Sequence, residues 1–280
     1  MRELLKNDLK RVFYGRIIYL AIGLLFVFSL KNVMDIIHDE EFTSIEYGVM
    51  DMNMFIVIAL CAIIPMFTCN DFSSGMIRNK VAAGHPRHKI FLSGMITSVI
   101  CALTLYASFA VAYFPVAIYH CGLGWGGYEP DPLQRFVAIV DSILVMIVIA
   151  VVAHTLSTIF RKKAATIVIL IIANLIYGTF ILPNLYMAQT QTMTDVIEEE
   201  VDGDYISETY QIVDNPSYLE KGTAARTTVD TVEAVMVVGH ELGIAKSDDV
   251  EMIRFLLVDV AEIVVFTFVG IAIFNKKDIK

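Results

Sequence analysis

The residues best placed to do chemistry are a few polar groups inside long apolar runs. Asp141 and His154 fall in the run Phe136–Phe160, and Asp259 and Glu262 fall in Phe255–Phe274. A charge held in hydrocarbon is costly, so such residues mark ion or substrate paths unless they reach water or headgroups. Asp259 and Glu262 are three positions apart and share a helix face. With Asn174, which can bond across helices, they could line a transport path or its outer gate. The alternative places both carboxylates at headgroup level, where charge costs little. That placement is the expected one for Asp141. His154 is expected to be hydrogen-bonded between helices.

Other chemistries lack their residues. No Gly-rich loop ends in Gly-Lys-Ser/Thr, so nucleotide binding of the P-loop kind is excluded. The stretch "GHELGI" at Gly239 suggests a zinc protease, but that motif needs a histidine four positions after His240, where Ile244 stands. No Gly-x-Ser-x-Gly nucleophile elbow occurs. Cys61, Cys69 and Cys101 lie in or near apolar runs and Cys121 stands apart, so the four cysteines make no disulfide framework and are expected as small apolar fillers. No catalytic residue, metal site or cofactor is expected in this chain.

The elements that would position these groups are membrane helices. The chain has 280 residues, 56% of them hydrophobic, with mean hydropathy +0.65. Six runs, Ile17–Met34, Met54–Thr68, Ile90–Tyr119, Phe136–Phe160, Ala164–Leu182 and Phe255–Phe274, suit a hydrocarbon core about 30 Å thick. Backbone groups in lipid must be satisfied internally, and no run alternates with a strand's period, so the expected fold is all-α and polytopic. The first run follows a basic segment without a small-residue cleavage site and should be retained as a signal-anchor.

Charge is sorted along the chain. Fifteen of the 21 Lys and Arg residues lie in residues 1–16, the 69–91 insert, Arg161–Lys163 and the C-terminal tail. The positive-inside rule then predicts cytoplasmic N- and C-termini in the plasma membrane. Pro183–Glu251 carries fifteen Asp and Glu, so the net charge of −9 reports the opposite surface and gives no reason to expect a nucleic-acid partner.

This divides the chain into an interfacial helix at 1–16, five transmembrane helices over 17–182, an outer domain at 183–251, and a sixth helix with its tail at 252–280. In the first segment Met1, Leu4, Leu5, Leu9, Val12 and Phe13 follow a 3–4 spacing, which suits a helix lying in the lipid interface. Arg161-Lys162-Lys163 is short enough to predict that the fourth and fifth helices are antiparallel neighbours. In the outer loop, "DNPSYLEKG" reads as turns. "TVDTVEAVMVVGHELG" reads as a helix entered at Thr228 or Asp230 and stopped by Gly243.

The insert "CNDFSSGMIRNKVAAGHPRHKIF" is polar and helix-forming between two membrane runs. Asn70 and Asp71 are N-cap candidates, and Gly84 with Pro86 forms a stop, which predicts a helix over 71–84. Phe72 with Met76 and Ile77 with Val81 form two i,i+4 pairs, roughly 140° apart on the helix. Two apolar edges suggest an element that touches partners on two sides.

This insert resembles the coupling-helix loop of ABC-2 type transporter permeases, where Asp71, Gly75, Met76, Arg78, Gly84 and Arg87 match the family's pattern, with Met76 in place of the commoner threonine. The segment "NPSYLEKGTAAR" is similar to one found in permeases of bacitracin, lantibiotic-immunity and phenol-soluble-modulin exporters. The resemblance implies a bacterial homodimer of six-span chains driven by two copies of a separate ABC ATPase, which would hold the ATP and Mg. It implies export of an amphipathic or antimicrobial-type peptide. Asp71, Phe72, Ser74, Gly75, Met76, Ile77, Arg78 and Lys80 would form the coupling contact. In it Phe72, Met76 and Ile77 would be the apolar anchor, and Arg78 and Lys80 would meet acidic groups or lipid phosphate. The competing expectations are an immunity or sensor protein that binds peptide at its outer domain without transport, and an ion-coupled transporter using Asp259 and Glu262.

Overall fold

The computed structural model describes residues 1–38, 45–121, 132–201, 205–235 and 249–277. In chain order the elements are α1 (Arg2–Tyr14), α2 (Arg16–His38), α3 (Ile45–Ser73), α4 (Met76–Ala82), α5 (Arg87–Cys121), α6 (Pro132–Phe160) and α7 (Lys163–Ile176). A single π-helical turn, Tyr177–Ile181, leads into α8 (Leu182–Gln189). Strands β1 (Thr192–Val201) and β2 (Tyr205–Asp214), then α9 (Ala224–Val235) and α10 (Asp249–Lys276), follow.

Six helices are long and apolar enough to cross a membrane: Arg16–Asp35, Asn53–Ser73, Arg87–Tyr119, Ile139–Phe160, Lys163–Gln189 and Ile253–Lys276. The chain is therefore a multi-pass helical membrane protein. The chain divides into two units, one built from Met1–Asn174 with α10, the other from Leu175 through α9.

In the first unit α3, α5 and α6 are central, each with 56% of its span buried, against 22% for α2 and 11% for the span of α10. Their core includes Ile56, Leu60, Ile64, Leu105, Phe109, Tyr113 and Met146, all fully enclosed. Helix α6 packs on α10, α3 and α5, and α5 also packs on α1 and α2. The short link Arg161–Lys162 does not make α7 a principal neighbour of α6, contrary to the sequence expectation. A tight link fixes only the adjoining ends. Helix α7 instead contributes Leu170 to the shared apolar core and brings the Thr166 hydroxyl to 3.9 Å from the Cys69 sulfur.

The second unit adds a two-stranded hairpin to an otherwise helical chain. Helix continues past Pro183, the π-helical turn Tyr177–Ile181 running directly into α8. Beyond α8, β1 and β2 form an antiparallel hairpin in register from Thr192 opposite Asp214 to Val201 opposite Tyr205. The "DNPSYLEKG" stretch is turn-rich as expected. Asn215 fixes it by donating to the carbonyls of Met187 (2.6 Å) and Thr190 (2.7 Å) and accepting from the Ser217 amide (2.9 Å). Thr223 caps α9, its hydroxyl accepting from the Arg226 amide at 3.2 Å, so the helix begins before the expected Thr228. The expected stop at Gly243 and the "GHELGI" stretch lie outside the described residues, as do the side chain of Cys121 and the very end of the basic tail.

Candidate functional site

The 69–91 insert is not one helix. Asn70 and Asp71 do not cap its start, because α3 runs on through Ser73 and Asp71 lies in its last turn. The chain then breaks at Gly75, whose φ of +71° a residue with a Cβ adopts only at a cost, and α4 begins at Met76. At the other end Gly84, at φ +84°, stops α4 where the sequence predicted. The break separates Phe72 from Met76, so this expected i,i+4 pair belongs to two helices.

Four charges fasten this joint to the N-terminal helix. Lys80 on α4 donates to Asp8 Oδ1 of α1 at 2.6 Å and stands 3.9 Å from Asp71. Arg11 of α1 pairs with Asp71 on α3 and lies 3.8 Å from Asp8. The Ser93 hydroxyl of α5 donates to Asp8 Oδ2 at 2.7 Å. Asp8 is 2% exposed. Two acids and two bases thus neutralise one another in a buried cluster that ties together α1, α3, α4 and α5. Enclosing a carboxylate this far from water is costly unless such partners surround it.

An apolar cluster lies beside the charges. Ile77 is buried with Leu4, Ile90, Phe91 and Phe274, and Phe72 and Val81 pack against them. Phe72 meets Phe274 edge-on at 6.2 Å, while the Arg161 guanidinium lies 4.9 Å from the Phe72 ring. Arg161 itself has a φ of +58°. The end of α10 is fixed at the same place: Arg87 donates to the carbonyls of Asn275 (2.9 Å) and Lys277 (3.1 Å), and Lys277 donates to the Ile159 carbonyl. Desolvation and the nearby Arg161 charge hold the Lys277 ammonium below the usual lysine pKa.

These contacts revise the expected roles. Ile77 and Phe72 face inward, Met76 is half-buried and accepts from Arg11, and Lys80 is committed to Asp8. They are internal struts and do not form an exposed anchor. The residues that α4 and its joint expose are Ser73, Ser74, Arg78, Asn79, Ala82 and Ala83, a small and polar surface with one free-standing cation.

Behind the cluster is a cavity of about 20 Å³ bordered by Thr68, Asp71, Lys80, Thr97, His154 and Thr158. It has room for a single water. His154 is buried, with Nδ1 3.3 Å from the Thr68 hydroxyl and 3.2 Å from that of Ser98. It bonds between helices, as the sequence suggested. The fit is close: a Cβ on Gly94 would come within 2.7 Å of the His154 ring.

The expected gate residues are not gathered here. Asp259 on α10 is fully buried, while Glu262, on the same face, is half-exposed. Asp141 on α6 is also fully buried within the protein, two residues inside the start of its span at Ile139. Asn174 is half-buried, with its carbonyl oxygen enclosed and without a hydrogen-bond partner. Among the described residues no group of His, Cys, Asp and Glu is arranged to hold a metal.

Sequence reading missed Asp8 and Arg11. The available signal was an acid in the middle of an apolar stripe, since Leu4, Asp8 and Val12 occupy one face of α1 at four-residue intervals and all three are buried. No family model matches this chain, and no curated protein matches it.

Proposed function

We propose that this chain is the permease subunit of an ABC exporter for amphipathic or antimicrobial-type peptides. In this reading it works as a homodimer with its basic ends in the cytoplasm, and a separate ATPase docks on α4. The observation that carries the proposal is the form of α4. It is a seven-residue helix set off by two positive-φ glycines, polar on its exposed side and fastened on its inner side to four longer helices. A surface loop with no mechanical role needs neither a neutralised ion cluster nor an aromatic seat.

Load applied at Arg78 and Asn79 would pass through Lys80 to Asp8 and α1, and through Ile77 to Phe274 and α10. The helices then shift as packed bodies with discrete arrangements. Asp259 and Glu262, with Asn174, remain the proposed lining of the path. The ATPase would supply ATP and Mg; this chain would supply the pathway and the lever.

The test is co-purification and ATP turnover with a candidate ABC ATPase expressed together with this chain. Arg78→Glu with Asn79→Asp should abolish association and stimulation while leaving the permease folded. Intact association would sink the docking role. An immunity or sensor protein would bind peptide without peptide-dependent turnover, and an ion-coupled transporter would move substrate with no ATPase present.

A further inference from the structure

The structure assigns to α1 a binding site for anionic phospholipid, formed by a row of outward cations beside an apolar groove. Of the seven charged side chains in α1 and Arg16, the ion cluster takes Asp8 and Arg11 inward. What remains exposed is Arg2, Lys6, Lys10 and Arg16, against Glu3 alone. Folding has therefore hidden an acid that the sequence places among these cations.

The geometry suits a lipid. Arg2, Lys6 and Lys10 recur every four residues, and they lie two positions from the buried stripe Leu4, Asp8 and Val12. At 100° per residue this puts them on the opposite side of the helix. Between the two faces run Leu5, Leu9 and Phe13, half-buried and apolar. A helix with an apolar flank next to a cationic edge matches the two halves of a phospholipid, acyl chain and phosphate.

At the break between α1 and α2 these features converge on a groove of about 430 Å³ lined by Leu9, Lys10, Phe13, Tyr14 and Tyr19. Gly15, with extended ψ of 128°, ends α1 there. Tyr14 and Tyr19 are 83% and 59% exposed, and tyrosines in such positions favour the headgroup layer. Lys10 is the phosphate donor in the groove; Lys6 and Arg16 add field. A zwitterionic headgroup would gain little from this row because its own cation would face it. The inference requires only that the chain spans a membrane, and it stands whether or not the chain exports peptide.

The experiment titrates the purified full chain in detergent with phosphatidylglycerol or phosphatidylcholine of matched chains, counting bound lipid by native mass spectrometry. Phosphatidylglycerol should bind at least tenfold more tightly than phosphatidylcholine. Lys6→Gln with Lys10→Gln should lower phosphatidylglycerol affinity about tenfold or more and leave phosphatidylcholine unchanged. Lys89→Gln, an exposed cation elsewhere, should change neither. Phe13→Ser should weaken the anionic lipid as well, and millimolar inorganic phosphate should not displace it. Equal binding of the two lipids, an unaffected double variant, or displacement by phosphate alone would overturn the assignment. So would a row of cations that prefers an acidic soluble protein to the lipid in the same titration.

Discussion

Lys80→Met is the most direct probe of the buried cluster. In the native protein Asp8, Arg11, Asp71 and Lys80 sum to zero charge, and Lys80 is the partner nearest Asp8, at 2.6 Å. Methionine keeps most of the stem's volume and removes only the ammonium. Asp8 is left with Arg11 at 3.8 Å and the Ser93 hydroxyl at 2.7 Å, and the cluster carries one net negative charge. Breaking a fully buried pair typically costs 3–5 kcal/mol. Arg11 still compensates in part here, so about 2–3 kcal/mol is expected. For a chain of this size that corresponds to a midpoint lower by roughly 5–10 °C. Adding Asp8→Asn restores neutrality, leaves Arg11 paired with Asp71 and keeps an acceptor for Ser93. The double variant should therefore be more stable than Lys80→Met alone, with a coupling of about 1.5 kcal/mol or more. Unfolding of the purified variants in one detergent, followed by tryptophan-independent probes such as circular dichroism, measures all four corners of the cycle. A single variant within about one degree of wild type, or strictly additive losses, would refute the neutral-cluster reasoning.

Other substitutions test neighbouring contacts. Ile77→Ala should destabilise by about 2–4 kcal/mol through loss of its seat among Leu4, Ile90, Phe91 and Phe274, measured in the same unfolding assay. Gly94→Ala should cost about 1–3 kcal/mol by pressing on the His154 ring, and adding His154→Ala should recover part of it. Gly75→Ala should cost about 1–2 kcal/mol from its left-handed backbone, without any large steric clash, since only the movable Arg78 side chain is near. Arg78→Glu should leave the unfolding midpoint unchanged and lose ATPase association on an affinity column.

Much of the membrane frame was legible because hydrocarbon imposes length and apolarity on each run. The six runs and the six spans agree to within a few residues at most ends. Gly84 could be read as a stop because its positive φ leaves a recognisable residue type. Gly75 was harder, since the helical pattern of Phe72, Met76 and Ile77 continues across it and conceals the break. The inward turn of Ile77 and Lys80 was not legible at all: their partners, Phe274 and Asp8, lie 197 and 72 residues away along the chain. Local spacing carries no information about such contacts. The hairpin was overlooked for another reason. Its strands are rich in Thr, Val, Ile and Tyr and the sequence between them holds Asp-Gly, a recognised hairpin signal, but the fifteen acids of the outer domain were read only as surface charge.

The clasp between Arg87 and the end of α10 also bears on how the protein is made. Its two partners are 188 residues apart for Asn275 and 190 for Lys277. At typical elongation rates of 5–20 residues per second, Arg87 leaves the ribosome about 10–40 s before the carbonyls it will hold. Until then α5 and α6 stand in the bilayer with the face that α10 covers still open, and Phe91 lacks Phe274. During that interval an insertase or chaperone can hold the half-built bundle. Arrival of α10 then covers that face, and the Arg87 clasp holds its end in place.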